Sequence, residues 1–336
     1  MKMRKNRIDP ELIKPLELRE DAIGCELNTD DLPAARKTWK AYFETIKKGF
    51  PDIEGVIVDR KKVPGPPNGP DVCVRIYRPE GPLGTLPALL WIHGGGYIFG
   101  SAEQDELQSK RFAKALKCVV VSVDYRLAPE TPFPGPLEDC YAALKWLYDN
   151  CLALDVDQSR IVIGGASAGG GLAAGLALLA RDRAEISVIF QLLIFPMIDD
   201  KNVSPPSEKN HDTFIWSRRN NLIGWRSYLG QEPGGNDVSP YAAAYRAKNL
   251  SGLPPAYIMV GGLDLFLNES IVYSQRLMTS GVPVELHVYP GAYHGFYGNA
   301  PAAEVSRRFV AECDAVLKRA FFNNPQSSPL NSRSLI

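Results

Sequence analysis

The sequence predicts an α/β protein with a doubly wound, mostly parallel sheet, and three observations carry that prediction. From residue 87 onward, short apolar runs alternate with helix-length amphipathic segments, the texture of strands joined by helical crossovers. Gly165-Ala166-Ser167-Ala168-Gly169 stands between the apolar run Ile161-Val162-Ile163 and the Ala/Leu-rich stretch from Gly171 to Ala180. About seventy residues upstream, His93-Gly94-Gly95-Gly96-Tyr97 follows the strand-like Ala88-Leu89-Leu90-Trp91-Ile92.

Taken in order, residues 1–50 read as helical. Asp31 is the expected N-cap of a helix from Leu32 to Lys48, Gly49 ends it, and Trp39, Tyr42, Phe43 and Ile46 fall on one face. Val56-Ile57-Val58 and the run from Val72 to Tyr77 flank the turn-rich segment Pro64 to Asp71 and predict an antiparallel pair. Strands are then expected at 87–92, 118–123, 161–163, 187–194, 256–261 and 284–289. Helices are expected near 101–117, 136–151, 168–182, 265–280 and 301–322, the first opened by a Ser101/Gln104 capping box. Between Phe195 and Ala256 the rhythm breaks for about sixty residues rich in Pro, Asn, Gly and aromatics, including Phe214, Trp216, Trp225, Tyr228 and Tyr241. A crossover needs far fewer residues than that. The expected organisation is therefore a core of 51–198 and 246–322, a cap from 1–50 with the insertion 199–245 over the carboxyl ends of the strands, and a disordered polar tail, 323–336.

Composition excludes several classes of function. Lys+Arg and Asp+Glu both total 38 of 336 residues, so there is no net field to attract nucleic acid or an anionic membrane. The longest apolar stretch, Ile186 to Ile198, is too short to span a bilayer, and the basic start from Met1 to Arg7 runs into Ile8-Asp9-Pro10 rather than an apolar segment. A soluble cytoplasmic protein is the expectation. Cys25, Cys73, Cys118, Cys140, Cys151 and Cys313 are scattered without a Cys-x-x-Cys pair, which predicts reduced, packed thiols and neither disulfides nor a metal site.

The small residues around Ser167 allow the sharp strand-to-helix turn that exposes a nucleophilic hydroxyl. Such a serine needs a base, itself oriented by a third group. Of the four histidines, His93 lies in the glycine loop, His211 in the insertion and His287 within a strand, whereas His294 lies in the loop Pro290 to Phe296 at a strand end. His294 is the expected base. Asp264, just past the strand Ala256 to Gly261 and Gly262, is the expected acid; Asp199 and Asp200, also after a strand, are its competitors. The backbone N–H groups of Gly94, Gly95 and Ala168 are expected to form the oxyanion hole, since a Cβ on either glycine would block close approach. His93 is expected to brace that loop.

These segments, together with Asp124-Tyr125-Arg126-Leu127-Ala128-Pro129-Glu130, Gly262-Leu263-Asp264-Leu265-Phe266 and Tyr293-His294-Gly295-Phe296, resemble the hormone-sensitive-lipase-like carboxylesterases of the α/β-hydrolase fold, also called lipolytic family IV. The resemblance runs from about Thr38 to Phe321 and departs from the usual family pattern at Ala166, Gly262 and Asn268. It implies an eight-stranded core beneath a two-part cap, a Ser167, Asp264 and His294 triad, and hydrolysis of short-chain esters without a cofactor or metal. The expected partner is a small-molecule ester, with a homodimer left open; no nucleic acid and no membrane insertion are expected. Lactone opening, amide hydrolysis, dehydration or non-catalytic ligand binding on the same fold remain as rivals.

Overall fold

The computed structural model describes residues 6–23, 31–201 and 214–322. His211, Cys25 and the tail 323–336 lie outside them. Helices α1 (Pro10–Ile23) and α2 (Leu32–Lys48) precede strands β1 (Val56–Val63), β2 (Val72–Pro79) and β3 (Leu86–Ile92). Then follow α3 (Glu106–Leu116), β4 (Val119–Asp124), α4 (Gly135–Asp149), β5 (Val156–Ala166), α5 (Ala168–Arg183) and β6 (Phe190–Ile194). The chain continues through α6 (Arg218–Leu229), β7 (Ala256–Gly261), α7 (Leu267–Thr279), β8 (Val284–Tyr289), α8 (Phe296–Asn299) and α9 (Glu304–Phe322).

The eight strands form one sheet in the order β1-β2-β4-β3-β5-β6-β7-β8. β2 runs antiparallel to both β1 and β4, and every pair from β4 through β8 is parallel. The parallel strands are buried on both faces, which is why they read as continuous apolar runs rather than alternating ones. Leu90, Ile92, Ile161 and Ile163 pack with α4, α5 and α7 through Leu144, Leu172, Leu176 and Tyr273. Leu89, Trp91 and Val162 face the other layer, where α1, α3 and α9 contribute Leu12, Phe112, Phe309 and Leu317. None of the described helices is long and apolar enough to cross a membrane.

Local chemistry sets the helix ends. Asp31 caps α2 by accepting from the Ala34 N–H at 3.1 Å, and Ser217 caps α6 by accepting from Asn220 N–H at 3.2 Å. The expected capping box at Ser101 does not form. Its glutamine is used elsewhere: Gln104 Oε1 accepts from Trp39 Nε1 at 2.6 Å, and residues 102–105 remain in turns. Helix α3 accordingly starts at Glu106, after Asp105, whose carboxylate accepts from Trp91 Nε1 instead of capping. Tertiary partners outcompete the local cap here. The last helix starts at Glu304 rather than 301, preceded by the short α8, and β6 starts at Phe190 rather than 187.

Helix α5 approaches the sheet at backbone contact. A Cβ on Gly169 would lie 2.0 Å from the Ile92 carbonyl oxygen and 2.5 Å from that of His93. Gly169→Ala should therefore cost more than about 3 kcal/mol, beyond ordinary overpacking, because neither neighbour is a movable side chain. Gly298→Ala, where a Cβ meets nothing within 4 Å, is the matched control. Thermal denaturation should show a large drop in Tm for the first and an unchanged Tm for the second.

Candidate active site

Ser167 sits at the junction of β5 and α5 with φ 57° and ψ −121°, a left-handed conformation that costs a non-glycine residue energy and is kept only where surroundings enforce it. The surroundings are explicit. Ser167 N donates to Ile194 O at 2.9 Å, while Ser167 O accepts from Gly171 N and Met197 N, both at 3.0 Å. On either side of the turn, a Cβ on Gly165 would lie 2.3 Å from Gly169 O, so only glycine allows the two legs to close.

His294 follows β8 and Asp264 follows β7, neighbouring parallel strands whose carboxyl ends face the elbow. His294 Nε2 is 3.0 Å from Ser167 Oγ, and His294 Nδ1 is 2.8 Å from Asp264 Oδ2. The other carboxylate oxygen of Asp264 accepts from Phe266 N at 2.9 Å, which fixes its plane. All three side chains are buried: relative exposure is 6% for Ser167, 6% for His294 and 7% for Asp264. The imidazole lies between Phe195, at 4.5 Å ring to ring, and Phe266, at 5.2 Å edge-on. With Nδ1–H donated to the carboxylate, Nε2 is left as the acceptor for the serine proton.

The glycine loop lies against this junction. A Cβ on Gly94 would come within 3.2 Å of Ser167 Cβ and 2.8 Å of Ala166 O, and Gly95 adopts φ 127°. Ala168 is the first residue of α5, so its N–H belongs to the unpaired helix start and the helix dipole favours negative charge there. His93 is fully buried, stacks on Tyr125 at 4.3 Å and has Nδ1 at 2.8 Å from Gly94 O. Burial holds its pKa below the ordinary histidine value. Behind the loop, Tyr97 stacks on Tyr228 at 4.0 Å, and its hydroxyl donates to Met197 O at 2.8 Å. The Trp216 ring fills the space a Cβ on Gly96 would need.

The competing residues are engaged elsewhere. Asp200 is held by Arg246, with Nη2 to Oδ2 at 2.6 Å, and accepts from Gly234 N at 2.7 Å. Asp199 Oδ1 accepts from Lys201 N at 3.1 Å. His287 lies between Glu285, at 3.0 Å, and Glu312, at 2.9 Å, on the edge strand. Among the described residues, no group of three or more His, Cys, Asp or Glu could hold a metal ion.

Sequence reasoning gave no role to Glu269. Its Oε1 accepts from Ile198 N at 2.8 Å and from Asp199 N at 3.3 Å, tying the segment after β6 to the helix that follows Asp264. Its only sequence signal is a carboxylate on the inner side of the first turn of α7. Burial pushes the Glu269 carboxyl well above the usual range, with further increments from Asp199 and Asp264. Because its native pKa is raised, the folded protein holds a proton that the unfolded chain releases, and the stability it contributes falls as pH rises from the ordinary glutamate value of about 4.3 towards the native one. Glu269→Gln, which keeps a neutral acceptor, should flatten that decline. Tm measured from pH 4 to 9 should show the variant gaining on the wild type with rising pH; parallel curves would overturn the assignment.

The comparisons with known proteins agree with this architecture. A family model described as the alpha/beta hydrolase fold matches residues 89–298. Esterase LipI of Mycobacterium tuberculosis is 34% identical over 93% of this chain and 96% of its own length. An arylesterase of Saccharolobus solfataricus is 31% identical over 75% of this chain and 80% of its own. Among solved structures, a bacterial heroin esterase superposes with a TM-score of 0.89 at 40% identity, covering 94% of this chain and 99% of that one. An esterase from the hyperthermophilic archaeon Pyrobaculum calidifontis gives 0.82 at 34% identity, over 93% and 98%. With a family match over most of the core and relatives aligned over nearly the whole chain, the protein belongs to the hormone-sensitive-lipase-like, family IV branch of the α/β-hydrolases.

Proposed function

We propose that the chain is a serine carboxylesterase that works through an acyl-enzyme on Ser167. The observation that supports this most directly is the unbroken line from Ser167 Oγ to His294 Nε2 and from His294 Nδ1 to Asp264 Oδ2, at 3.0 and 2.8 Å, on a strained elbow. Esterase relatives matched over 93% or more of the chain support the same class.

In the first step Ser167 Oγ attacks the ester carbonyl carbon while His294 Nε2 takes the hydroxyl proton. The tetrahedral oxyanion is held by the N–H groups of Gly94, Gly95 and Ala168, and Asp264 stabilises the imidazolium. His294 returns the proton to the departing alkoxide, leaving an ester on Ser167. Water then attacks that acyl group, giving up its proton to His294. The carboxylic acid leaves as Ser167 recovers its hydrogen from the imidazolium. We infer that the apolar face of the N-terminal helix at Trp39, Tyr42, Phe43 and Ile46 limits the room for the acyl chain, which favours short acyl groups of about two to eight carbons over long-chain triglyceride.

Ser167→Ala should stay folded and lose about 10⁴-fold or more in kcat on p-nitrophenyl acetate. Retention of a tenth of wild-type turnover would place the nucleophile elsewhere. Asp264→Asn, which deprives the imidazole of its charged partner, should lower kcat by roughly 10³ to 10⁴. Asp199→Asn should cost far less. The reverse ranking in steady-state assays would assign the acid to the segment after β6.

A further inference from the structure

The elbow with Ser167 and Ala168, the glycine loop with Gly94 and Gly95, and the loop with His294 are separate segments, and helix α2, which lies outside the sheet, reaches the last two. Arg36, Trp39 and Tyr42 recur every three residues and so share one helical face. Arg36 Nε donates to Ile98 O and Arg36 Nη2 to Ala128 O, both at 2.8 Å. Ile98 N in turn donates to Gly95 O at 3.1 Å, inside the glycine loop. Trp39 stacks on Phe99 at 5.2 Å and 16°, and Phe99 N also donates to Gly95 O, at 2.8 Å. At the far end of the same face, Tyr42 Oη donates to Asn299 Oδ1 at 3.1 Å. Asn299 Nδ2 donates to Tyr293 Oη at 2.7 Å, and Tyr293 Oη donates to Leu12 O at 3.2 Å. Tyr293 immediately precedes His294.

We propose that Arg36 and Tyr42 are positioning residues for ester hydrolysis, through which helix α2 sets the oxyanion loop and the histidine loop in register about Ser167. This rests on the acyl-enzyme reading of Ser167. The bidentate ion pair of Arg36 with Glu130, at 2.6 and 2.8 Å, does not account for the arginine by itself: the Glu130 side chain is 61% exposed, and the same guanidinium also donates to the two backbone carbonyls. The two backbone carbonyls, which come from different loops, need the planar fork of a guanidinium, and an ammonium group reaches them less well. Oxyanion donors and base must both meet the reacting carbonyl within a fraction of an ångström, so a small shift of either loop acts on the transition state more than on substrate binding.

The test uses the full-length protein, p-nitrophenyl acetate and the variants Arg36→Lys, Tyr42→Phe and Asn299→Ala. Each should lower kcat about three- to tenfold, the range expected from one hydrogen bond, with KM within about twofold and Tm within a few degrees. Tyr42→Phe combined with Asn299→Ala should lose no more than the worse single variant, since both break one chain. Arg36→Lys with Tyr42→Phe should lose less than the product of the single effects, because both loosen one helix. Wild-type kcat in Arg36→Lys and Tyr42→Phe overturns the proposal. A loss confined to Tm or KM does so as well, since it marks a contact that serves stability or binding alone. If Asn299→Ala fails to fold, the other two variants decide. Labelling of wild-type Ser167 by a phosphonate separates the premises: without labelling or turnover, the serine reading fails and the positioning role falls with it.

Discussion

Three backbones meet at van der Waals limits beneath the nucleophile, and the site depends on that approach. Gly169 of α5 touches the Ile92 carbonyl of β3, Gly165 of β5 faces the Gly169 carbonyl, and Gly94 abuts the Ala166 carbonyl. No side chain fits at these points. The turn between β5 and α5 therefore has to be tight, and the tightness drives Ser167 into its left-handed conformation, with the hydroxyl directed away from the sheet. Ser167 N donates to Ile194 O at the end of β6, and Ser167 O accepts from Met197 N just beyond it, so the strained turn is tied to the packed sheet.

Carboxylates crowd the carboxyl ends of β6 and β7, and the structure separates them by giving each a different partner. Asp264 faces an imidazole, Asp200 a guanidinium and Asp199 a backbone N–H. Glu269 and Asp199 are both buried, and burial pushes both carboxyls above the usual range. Glu269 also accepts from two backbone N–H groups, those of Ile198 and Asp199.

The N-terminal helices owe their position to contacts remote in sequence. Arg36 reaches Ile98 and Ala128, Tyr42 reaches Asn299, and Asp9 N donates to Gly291 O at 3.0 Å. An amphipathic face at Trp39, Tyr42, Phe43 and Ile46 says that a helix is covered on one side. It does not say by what. The aromatics of the insertion behave alike: Trp225 and Tyr228 lie on the buried face of α6 and pack against Tyr97 of the glycine loop, a partner that the spacing of that face does not name.

What the sequence by itself determined is whatever rests on local sterics and on burial of both sheet faces. The parallel strands showed as continuous apolar runs, the helix cap at Asp31 as an acceptor before a periodic segment, and the two glycine motifs as backbone that has no room for a Cβ. That Asp264 and His294 come together beside Ser167 was legible because the loops after parallel strands gather at one end of a doubly wound sheet. Tertiary structure alone decided what happens when a polar side chain has two possible partners. Gln104 leaves its cap for the Trp39 indole, Asp105 serves Trp91 instead of α3, and Asp199 and Asp200 follow a strand as Asp264 does yet face no histidine. A local hydrogen bond and a distant one contribute similar net energy. The choice between them is made by which groups the packed core brings within about 3 Å, and a linear sequence does not contain that distance.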